Sequence, residues 1–440
     1  MTKKSIITTI PGDKSISHRA VILTALSKST LTFNRFLMSD DCLNTIGIFK
    51  ECGIDITIQS NSITVQGKGR KGLSKPKMPL YVGNSGTSIR LLTGVFSAQD
   101  FDCTLYGDAS IANRPMKRLL LPLSKMGAKI NAQTKVNSDD NFPPLSIYGK
   151  QLSELTYTLP IASAQLKSCL LLAALCSGVG CTLNGETPSR DHTEIMMKGF
   201  GINIEKSQST IYLKPQKEDF YFQSTSSSVM IPSDFSSAAF FIVLGLISKQ
   251  TPTLVLHDIG LNPTRAALLD ILMGATLPGS ITVFNKKTSL GESIGSIEVS
   301  SSSIDNTKLT QSLTKRNLPF LIDEVPILAV AAHFGHGTLT ISNAEELRFK
   351  ESDRISSTVE MINSLGGKAK ETKNGLIIEG MMGEIRKDIS LNTYNDHRIA
   401  MSGFIAGKAT ASSVKASDTA CIATSFPNFF DILDAIPEIN

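Results

Sequence analysis

The stretch Pro11-Gly12-Asp13-Lys14-Ser15-Ile16-Ser17-His18-Arg19-Ala20 places two hydroxyls and two strong cations after a Pro-Gly turn and at the head of an apolar run. That order suits an anion receptor. Asp13 or Ser15 can cap a helix here, leaving backbone N–H groups and the positive end of the helix dipole aimed where Lys14 and Ser15 point. Arg19 follows Ser15 by four residues, about one helical turn, and can reach the same mouth. A capped surface helix with two solvated cations would show the same ten residues, so the stretch alone leaves both readings open. A P-loop is excluded: it needs Gly immediately before its Lys and another five residues before that, where this chain has Asp13 and Thr8.

Other stretches offer related chemistry. In Leu80-Tyr81-Val82-Gly83-Asn84-Ser85-Gly86-Thr87-Ser88-Ile89-Arg90 a strand runs through a Gly-rich turn into a helix, and Gly86 would let a ligand approach the backbone closely. Arg114 stands before a Pro suited to the first helical position and can fork onto a carboxylate or phosphate. Ser163 and Gln165 supply a hydroxyl and an amide. His192, in the charged loop Ser189-Arg190-Asp191-His192-Thr193-Glu194, reads as a helix-start or surface residue rather than a ligand. Asp323 and Glu324 open an apolar helix, where a carboxylate could act as a base or simply as an N-cap. Residues 346–354 crowd Arg348, Lys350 and Arg354 among several carboxylates, a pattern that a solvated charge run also gives. Asp396-His397-Arg398 repeats the layout of the first stretch, whereas His333 and His336 flank a Gly turn and read as structural.

The elements that must position these residues form a repeat. Six nearly all-apolar helices each follow a polar mouth, over residues 13–26, 84–96, 163–175, 234–246, 323–334 and 396–406. Helices apolar all round are buried on every side. Amphipathic helices end in Gly turns at Gly53, Gly127, Gly201, Gly274 and Gly366, with steps of 74, 74, 73 and 92 residues. Each such Gly suits the left-handed position after a helix. Most are followed by two short alternating strands, a hairpin. One unit is therefore strand, inner helix, strand, outer helix, hairpin. Six units divide most economically into two three-unit domains, 13–231 and 1–12 with 232–440, with crossings near Pro11-Gly12 and Ile231-Pro232-Ser233. The six mouths are then expected to meet in a shared cleft. Stretches 67–77, 224–228 and 300–303 read as polar surface.

Composition bounds the partners. A chain of 440 residues with 41% hydrophobic and 19% charged residues is ordinary globular protein. A net charge of +5, no Trp and few aromatics argue against a nucleic-acid partner. Seven cysteines, an odd number without C-x-x-C spacing, point to free thiols in a reducing cytoplasm. The longest apolar runs fall short of the roughly 18 residues of a membrane span, and the first residues lack a secretory apolar region. No membrane partner is expected.

Taken together, PGDKSISHRA, YVGNSGTSIR, NRPM, SAQLKS, SRDHTE, DEVPILAVAA, ELRFKESDRI and DHRIAM resemble the motifs of the 5-enolpyruvylshikimate-3-phosphate synthase family, in order, over a span from Pro11 to about Pro427. The resemblance implies an α/β fold of two-domain enolpyruvyl-transferase architecture, each domain three βαβαββ units around buried helices, with the active site in the interdomain cleft. It implies transfer of the enolpyruvyl group of phosphoenolpyruvate to the 5-hydroxyl of shikimate 3-phosphate, with release of phosphate, in the shikimate pathway toward chorismate and the aromatic amino acids. Lys14, Ser15, Arg19, Ser163, Gln165, Asp323 and Lys350 would hold shikimate 3-phosphate. Lys14, Gly86, Arg114, Gln165, Arg354 and Arg398 would hold phosphoenolpyruvate. Asp323 would take the hydroxyl proton, and Lys14 and Glu351 would serve proton traffic at C3. No metal or redox cofactor is required; glyphosate is the expected inhibitor, and a monomer is expected. One departure stands out: Thr424 occupies a place where many members carry a Lys that grips phosphoenolpyruvate. Two other readings are an enolpyruvyl transfer to a UDP-amino sugar, whose usual loop cysteine is missing from residues 108–113, and a non-catalytic phosphate-binding scaffold or RNA-end-modifying relative.

Overall fold

The computed structural model describes residues 6–185, 189–224, 226–249 and 252–437. Thr225 of the Ser-rich stretch and residues 1–5 of the amino-terminal segment lie outside the described residues. The six apolar runs are helices: Lys14–Leu26, Gly86–Ser97, Ala164–Ser177, Phe235–Ile247, Val325–Phe334 and His397–Thr410. Every residue of Phe235–Ile247 is buried, as is every residue from Leu166 to Ser177. Their starts are local chemistry. Asp13 accepts from the Ile16 N–H at 2.8 Å, Ser85 from Ser88 at 3.1 Å, Ser163 from Leu166 at 3.3 Å, Asp234 from Ser236 at 2.7 Å and Asp396 from Arg398 at 2.9 Å. Each cap satisfies an otherwise orphaned N–H, an effect of about 1 kcal/mol. The fifth helix is the exception. Glu324 holds its N-cap position without a side-chain cap bond, and Pro326 sits in its first turn.

Four sheets share one plan, a parallel pair extended by an antiparallel hairpin. Leu80–Tyr81 runs parallel to Asp102–Tyr106, which pairs antiparallel with Phe142–Tyr148 and through it with Lys129–Gln133. Leu155–Thr158, Cys181–Asn184, Thr210–Leu213 and Ile204–Lys206 repeat that order. In the other two the parallel partner comes from far along the chain. Ile6–Thr8 joins Leu254–Gly260, and Ser228–Met230 joins Thr30–Asn34. Each of these strands immediately precedes one inner helix yet completes a different repeat's sheet. The fifth repeat keeps a three-stranded sheet, Thr338–Ile341, Gly375–Glu379 and Lys368–Thr372. Among the described residues the sixth keeps only the parallel pair Asp388–Leu391 and Ser413–Ala416.

Gly53, Gly127, Gly201 and Gly366 adopt positive φ of 83, 90, 70 and 97°. Gly274 does not. It lies inside the helix Ala267–Ala275, and the chain leaves that helix through extended Thr276, so the fourth repeat turns without a left-handed glycine.

The chain divides into two compact units. One comprises Gly12–Ile231 with Ser289–Glu292; the other comprises Met1–Pro11, Pro232–Thr288 and Ser293–Asn440. Each has its own core, with Phe33, Phe49, Phe96 and Phe200 among the largest side chains of the first, and Phe235, Phe240, Phe241, Phe426 and Phe429 among those of the second. All seven cysteines are unpaired. No helix among the described residues is long and apolar enough to cross a membrane.

Candidate active site

In the unit built on residues 12–231, three inner-helix mouths supply polar groups. Lys14, at the first turn of Lys14–Leu26, donates to the buried Asp41 carboxylate at 2.6 Å. Arg19 is not a solvated cation. Its Nη1 donates to the Ser15 carbonyl at 2.9 Å, its Nη2 to Ser168 Oγ at 2.9 Å and its Nε to Thr193 Oγ1 at 2.7 Å. Burial lowers its pKa to about 10, against the pull of Glu194 and Asp13, so the guanidinium stays charged at neutral pH. Beneath it Lys167 and Glu194 form a buried ion pair at 2.6 Å. Gly86 is the next feature. A Cβ there would stand 2.6 Å from Arg114 Nη1 and 2.9 Å from Arg90 Nη1, so the absent side chain makes room for two guanidinium groups at a helix start. Arg114 donates to Asn84 Oδ1 at 3.2 Å, and Arg90 donates to Gln165 Oε1 at 2.7 Å. Ser163 spends its acceptor on the cap, which leaves its O–H able to donate.

A buried chain of hydroxyls ties the first two mouths together. His18 Nδ1 meets Thr45 Oγ1 at 2.9 Å, Thr45 meets Ser88 Oγ at 2.8 Å, and Ser88 Oγ donates to the cap Ser85 at 2.7 Å. Burial first, then Lys14 and Arg19, push the His18 pKa well below its ordinary value, so the ring is neutral. His192 begins the helix His192–Gly199 as the sequence suggests, but it is buried rather than at the surface, with Nδ1 2.7 Å from Glu292 Oε1.

In the other unit the pattern is a network of carboxylates and cations. Asp323 Oδ1 accepts from Arg354 Nη1 at 3.0 Å and from Lys350 Nζ at 3.4 Å. Asp323 precedes its helix without capping it, because Glu324 takes the N-cap position. Arg354 is fully buried and donates Nε to Asp396 Oδ2 at 2.8 Å and Nη2 to Glu351 Oε2 at 2.6 Å. Burial alone would lower its pKa; Asp396, Glu351 and Asp323 outweigh burial and raise it. For Asp396 burial works upward, yet Arg354 holds the carboxyl below its ordinary range. Arg398 lies 3.8 Å from the buried Glu324, and burial lowers its pKa against the pull of Asp323 and Glu324. Asp323, Lys350, Glu351, Arg354 and Arg398 are thus gathered in one cluster. Thr424 ends the short 3-10 helix Ala420–Thr424, and its hydroxyl donates to the Cys421 carbonyl at 2.7 Å.

The family model for EPSP synthase (3-phosphoshikimate 1-carboxyvinyltransferase) matches residues 3–433. The chain belongs to the EPSP synthase family. A 3-phosphoshikimate 1-carboxyvinyltransferase of Thermoanaerobacter sp. (strain X514) is 39% identical over 430 residues, covering 98% of this chain and 97% of that one. The solved EPSP synthase of Acinetobacter baumannii superposes with a TM-score of 0.82 at 36% identity, covering 99% of this chain and 96% of the other. The enolpyruvyl transferase NikO of Streptomyces tendae shares the fold, with a TM-score of 0.70 at 14% identity, over 99% of this chain and 95% of that one.

Within this member of the EPSP synthase family, the geometry adds residues that sequence reasoning did not single out. Asp41 holds Lys14, and its signal was present in the acidic pair Asp40-Asp41 at a helix start. Arg90 was visible as the last residue of a motif, four residues past Gly86. Glu324, which the sequence pairs with Asp323 as a possible base or cap, takes the N-cap position. Arg265 had no local signal, because nothing in Asn262-Pro263-Thr264-Arg265 says which carboxylates it will meet.

Proposed function

We propose that the two clusters divide the work of the family's reaction, the first mainly holding anions and the second supplying the base, with cations of both meeting the substrates. The family reading makes the protein a transferase that joins the enolpyruvyl group of phosphoenolpyruvate to the 5-hydroxyl of shikimate 3-phosphate and releases phosphate. The observation that carries the division is Asp323, a carboxylate with one oxygen shared between Lys350 and Arg354, beside Glu351 on the same guanidinium. A base so held is oriented before substrate arrives.

In the proposed sequence Asp323 accepts the proton of the 5-hydroxyl as its oxygen bonds to C2 of phosphoenolpyruvate. C3 gains a proton from Lys14 or Glu351. The conjugate base of that donor then takes a proton back from C3, restoring the double bond as the C2–O bond to phosphate breaks and phosphate leaves. Lys14, Ser15, Arg19, Ser163, Gln165 and Lys350 hold shikimate 3-phosphate. Arg114 and Arg398, with the Gly86 backbone, Lys14 and Gln165, hold phosphoenolpyruvate. Arg354 contributes through Nη2, for which the substrate carboxylate competes with Glu351, while its Nε remains on Asp396. Glyphosate occupies the phosphoenolpyruvate position in this reading.

The protein is further read as a cytoplasmic monomer. Support comes from the unpaired cysteines, whose burial raises thiols such as Cys52 and Cys181 to about 12 and keeps them unreactive, and from a closed core in each unit. Light scattering checks the monomer. Phosphate release with phosphoenolpyruvate and shikimate 3-phosphate, run beside a UDP-amino sugar as acceptor, tests the activity. Release only with the UDP-amino sugar, or with neither acceptor, would overturn it.

A further inference from the structure

Arg265 is deeply buried, at 3% exposure, and it lies on none of the motifs that define the site. The loop before the helix Ala267–Ala275 places it: Asn262 Oδ1 accepts from the N–H and hydroxyl of Thr264, and the Arg265 N–H donates to the Asn262 carbonyl at 2.8 Å. From there one guanidinium meets three carboxylates. Nη2 donates to Asp234 Oδ1 at 3.1 Å, Nη1 donates to Glu324 Oε1 at 3.3 Å, and Nη1 stands 3.8 Å from Asp323 Oδ2.

These three carboxylates are not equivalent. Asp234 caps Phe235–Ile247, Glu324 occupies the cap position of Val325–Phe334, and Asp323 is the candidate base. Glu324 also accepts from Ser236 Oγ and faces Arg398, so the same guanidinium steadies a phosphoenolpyruvate-binding candidate at one remove. Around Asp323 the arrangement is two-sided. Lys350 and Arg354 take Oδ1, and Arg265 faces Oδ2. Two oxygens each facing a cation leave the carboxylate little freedom to rotate, and rotation would misdirect the lone pair that must accept the substrate proton. Lys350, half-buried in the same cluster, can serve an incoming anion, whereas Arg265 directs Nη1 and Nη2 at the carboxylates of Glu324 and Asp234.

We infer that Arg265 is a positioning residue for the reaction: it orients Asp323 through Oδ2 and anchors Glu324 against the mouth of the fourth inner helix, without touching substrate. The inference rests on the assignment of Asp323 as base. The groups that set the charge there are Lys350, Arg354, Arg398, Glu351, Asp234, Glu324 and Asp396, all of which a substitution at Arg265 leaves in place.

Arg265→Gln and Arg265→Lys test it in the full-length protein, with phosphate release from phosphoenolpyruvate and shikimate 3-phosphate as the assay and thermal unfolding as the control. Arg265→Gln should lower kcat by roughly 10- to 100-fold while KM for each substrate changes less than about threefold. Removing a cation 3.8 Å from a carboxylate favours its protonated form, so the acid limb of the kcat/KM profile should move to higher pH. Arg265→Lys restores the charge but not the fork: its acid limb should return toward wild type while kcat stays low. If Arg265→Gln does not fold, the kcat and profile of Arg265→Lys decide alone. A folded variant with wild-type kcat and an unmoved acid limb overturns the inference, and so does a large rise in KM with kcat unchanged, which would make Arg265 a substrate-binding cation. Lack of phosphate release by the wild type would instead remove the functional reading beneath it.

Discussion

The two units build their mouths from the same helix plan and fill them with different proportions of neutral and charged partners. In the unit of residues 12–231, Arg19 is held by hydroxyls and a carbonyl, Arg114 by an asparagine and Arg90 by a glutamine, and Asp41 pairs with Lys14. In the other unit, Arg265, Lys350, Arg354 and Arg398 face Asp234, Asp323, Glu324, Glu351 and Asp396, four cations against five carboxylates. Neutral partners orient a guanidinium without cancelling its charge, which suits a receptor for phosphates. Carboxylate partners cancel the charge and fix the carboxylates, which suits acid–base work. One repeat can therefore serve either purpose, depending on what packs beside its helix start.

The largest effect expected from this contrast is at Asp323, the proposed base. Asp323→Asn keeps the shape and the contacts of Lys350 and Arg354 but cannot accept a proton, so kcat should fall by a factor on the order of 100 or more with little change in shikimate 3-phosphate affinity. Near-wild-type turnover in steady-state assays would remove the proton-moving role from this unit. Next comes the receptor side. Lys14→Met takes a cation from Asp41 and from the anion, and should raise both KM values and lower kcat, each by roughly tenfold or more. Calorimetry showing intact shikimate 3-phosphate affinity would sever Lys14 from the receptor.

Asp396 offers a test by pH. Its carboxyl titrates below its ordinary range when folded, because Arg354 more than offsets burial. A folded pKa below the unfolded value near 3.9 gives stability that is complete above that value and fades as pH falls toward the folded pKa. Asp396→Asn should cost about 3 kcal/mol near neutral pH and flatten the fall in stability below about pH 4. Denaturant midpoints measured from pH 7 to 3 check both, and an unaltered acid slope would show that the pair does not govern it.

Two smaller effects probe the groups proposed to meet phosphoenolpyruvate. A methyl at Gly86 would press on the ends of Arg114 and Arg90, flexible groups that can shift, and would narrow the site most for a longer ligand. Gly86→Ala should raise the ratio of the glyphosate inhibition constant to the phosphoenolpyruvate KM several-fold. If the ratio does not rise, Gly86 does not line the inhibitor position. Thr424→Lys adds one cation in a half-exposed turn and should lower the phosphoenolpyruvate KM by only about threefold. An unchanged KM would mean that this turn does not face the substrate.

What the sequence determined by itself was local. Asp13, Ser85, Ser163, Asp234 and Asp396 cap inner helices because a short polar side chain can reach an N–H two or three residues on, whatever lies elsewhere in the chain. All-round apolar runs could only be buried helices, and four of the five Gly turns needed positive φ. Gly274 failed because a glycine in the last turn of a helix is also tolerated as helix. The motifs also carried the candidate site residues, since each sits within a few positions of a helix start. Partnerships were decided only in three dimensions. Arg19 finds Ser168 and Thr193 at 149 and 174 residues' distance, Lys14 finds Asp41 at 27, and Arg265 finds Glu324 at 59. The strands Ile6–Thr8 and Ser228–Met230 each complete the sheet of a repeat other than the one they lead into. Nothing local distinguishes a buried, oriented arginine from a solvated one. That depends on which helices pack beside it, and packing is set by the summed burial of surfaces that are distant in the chain.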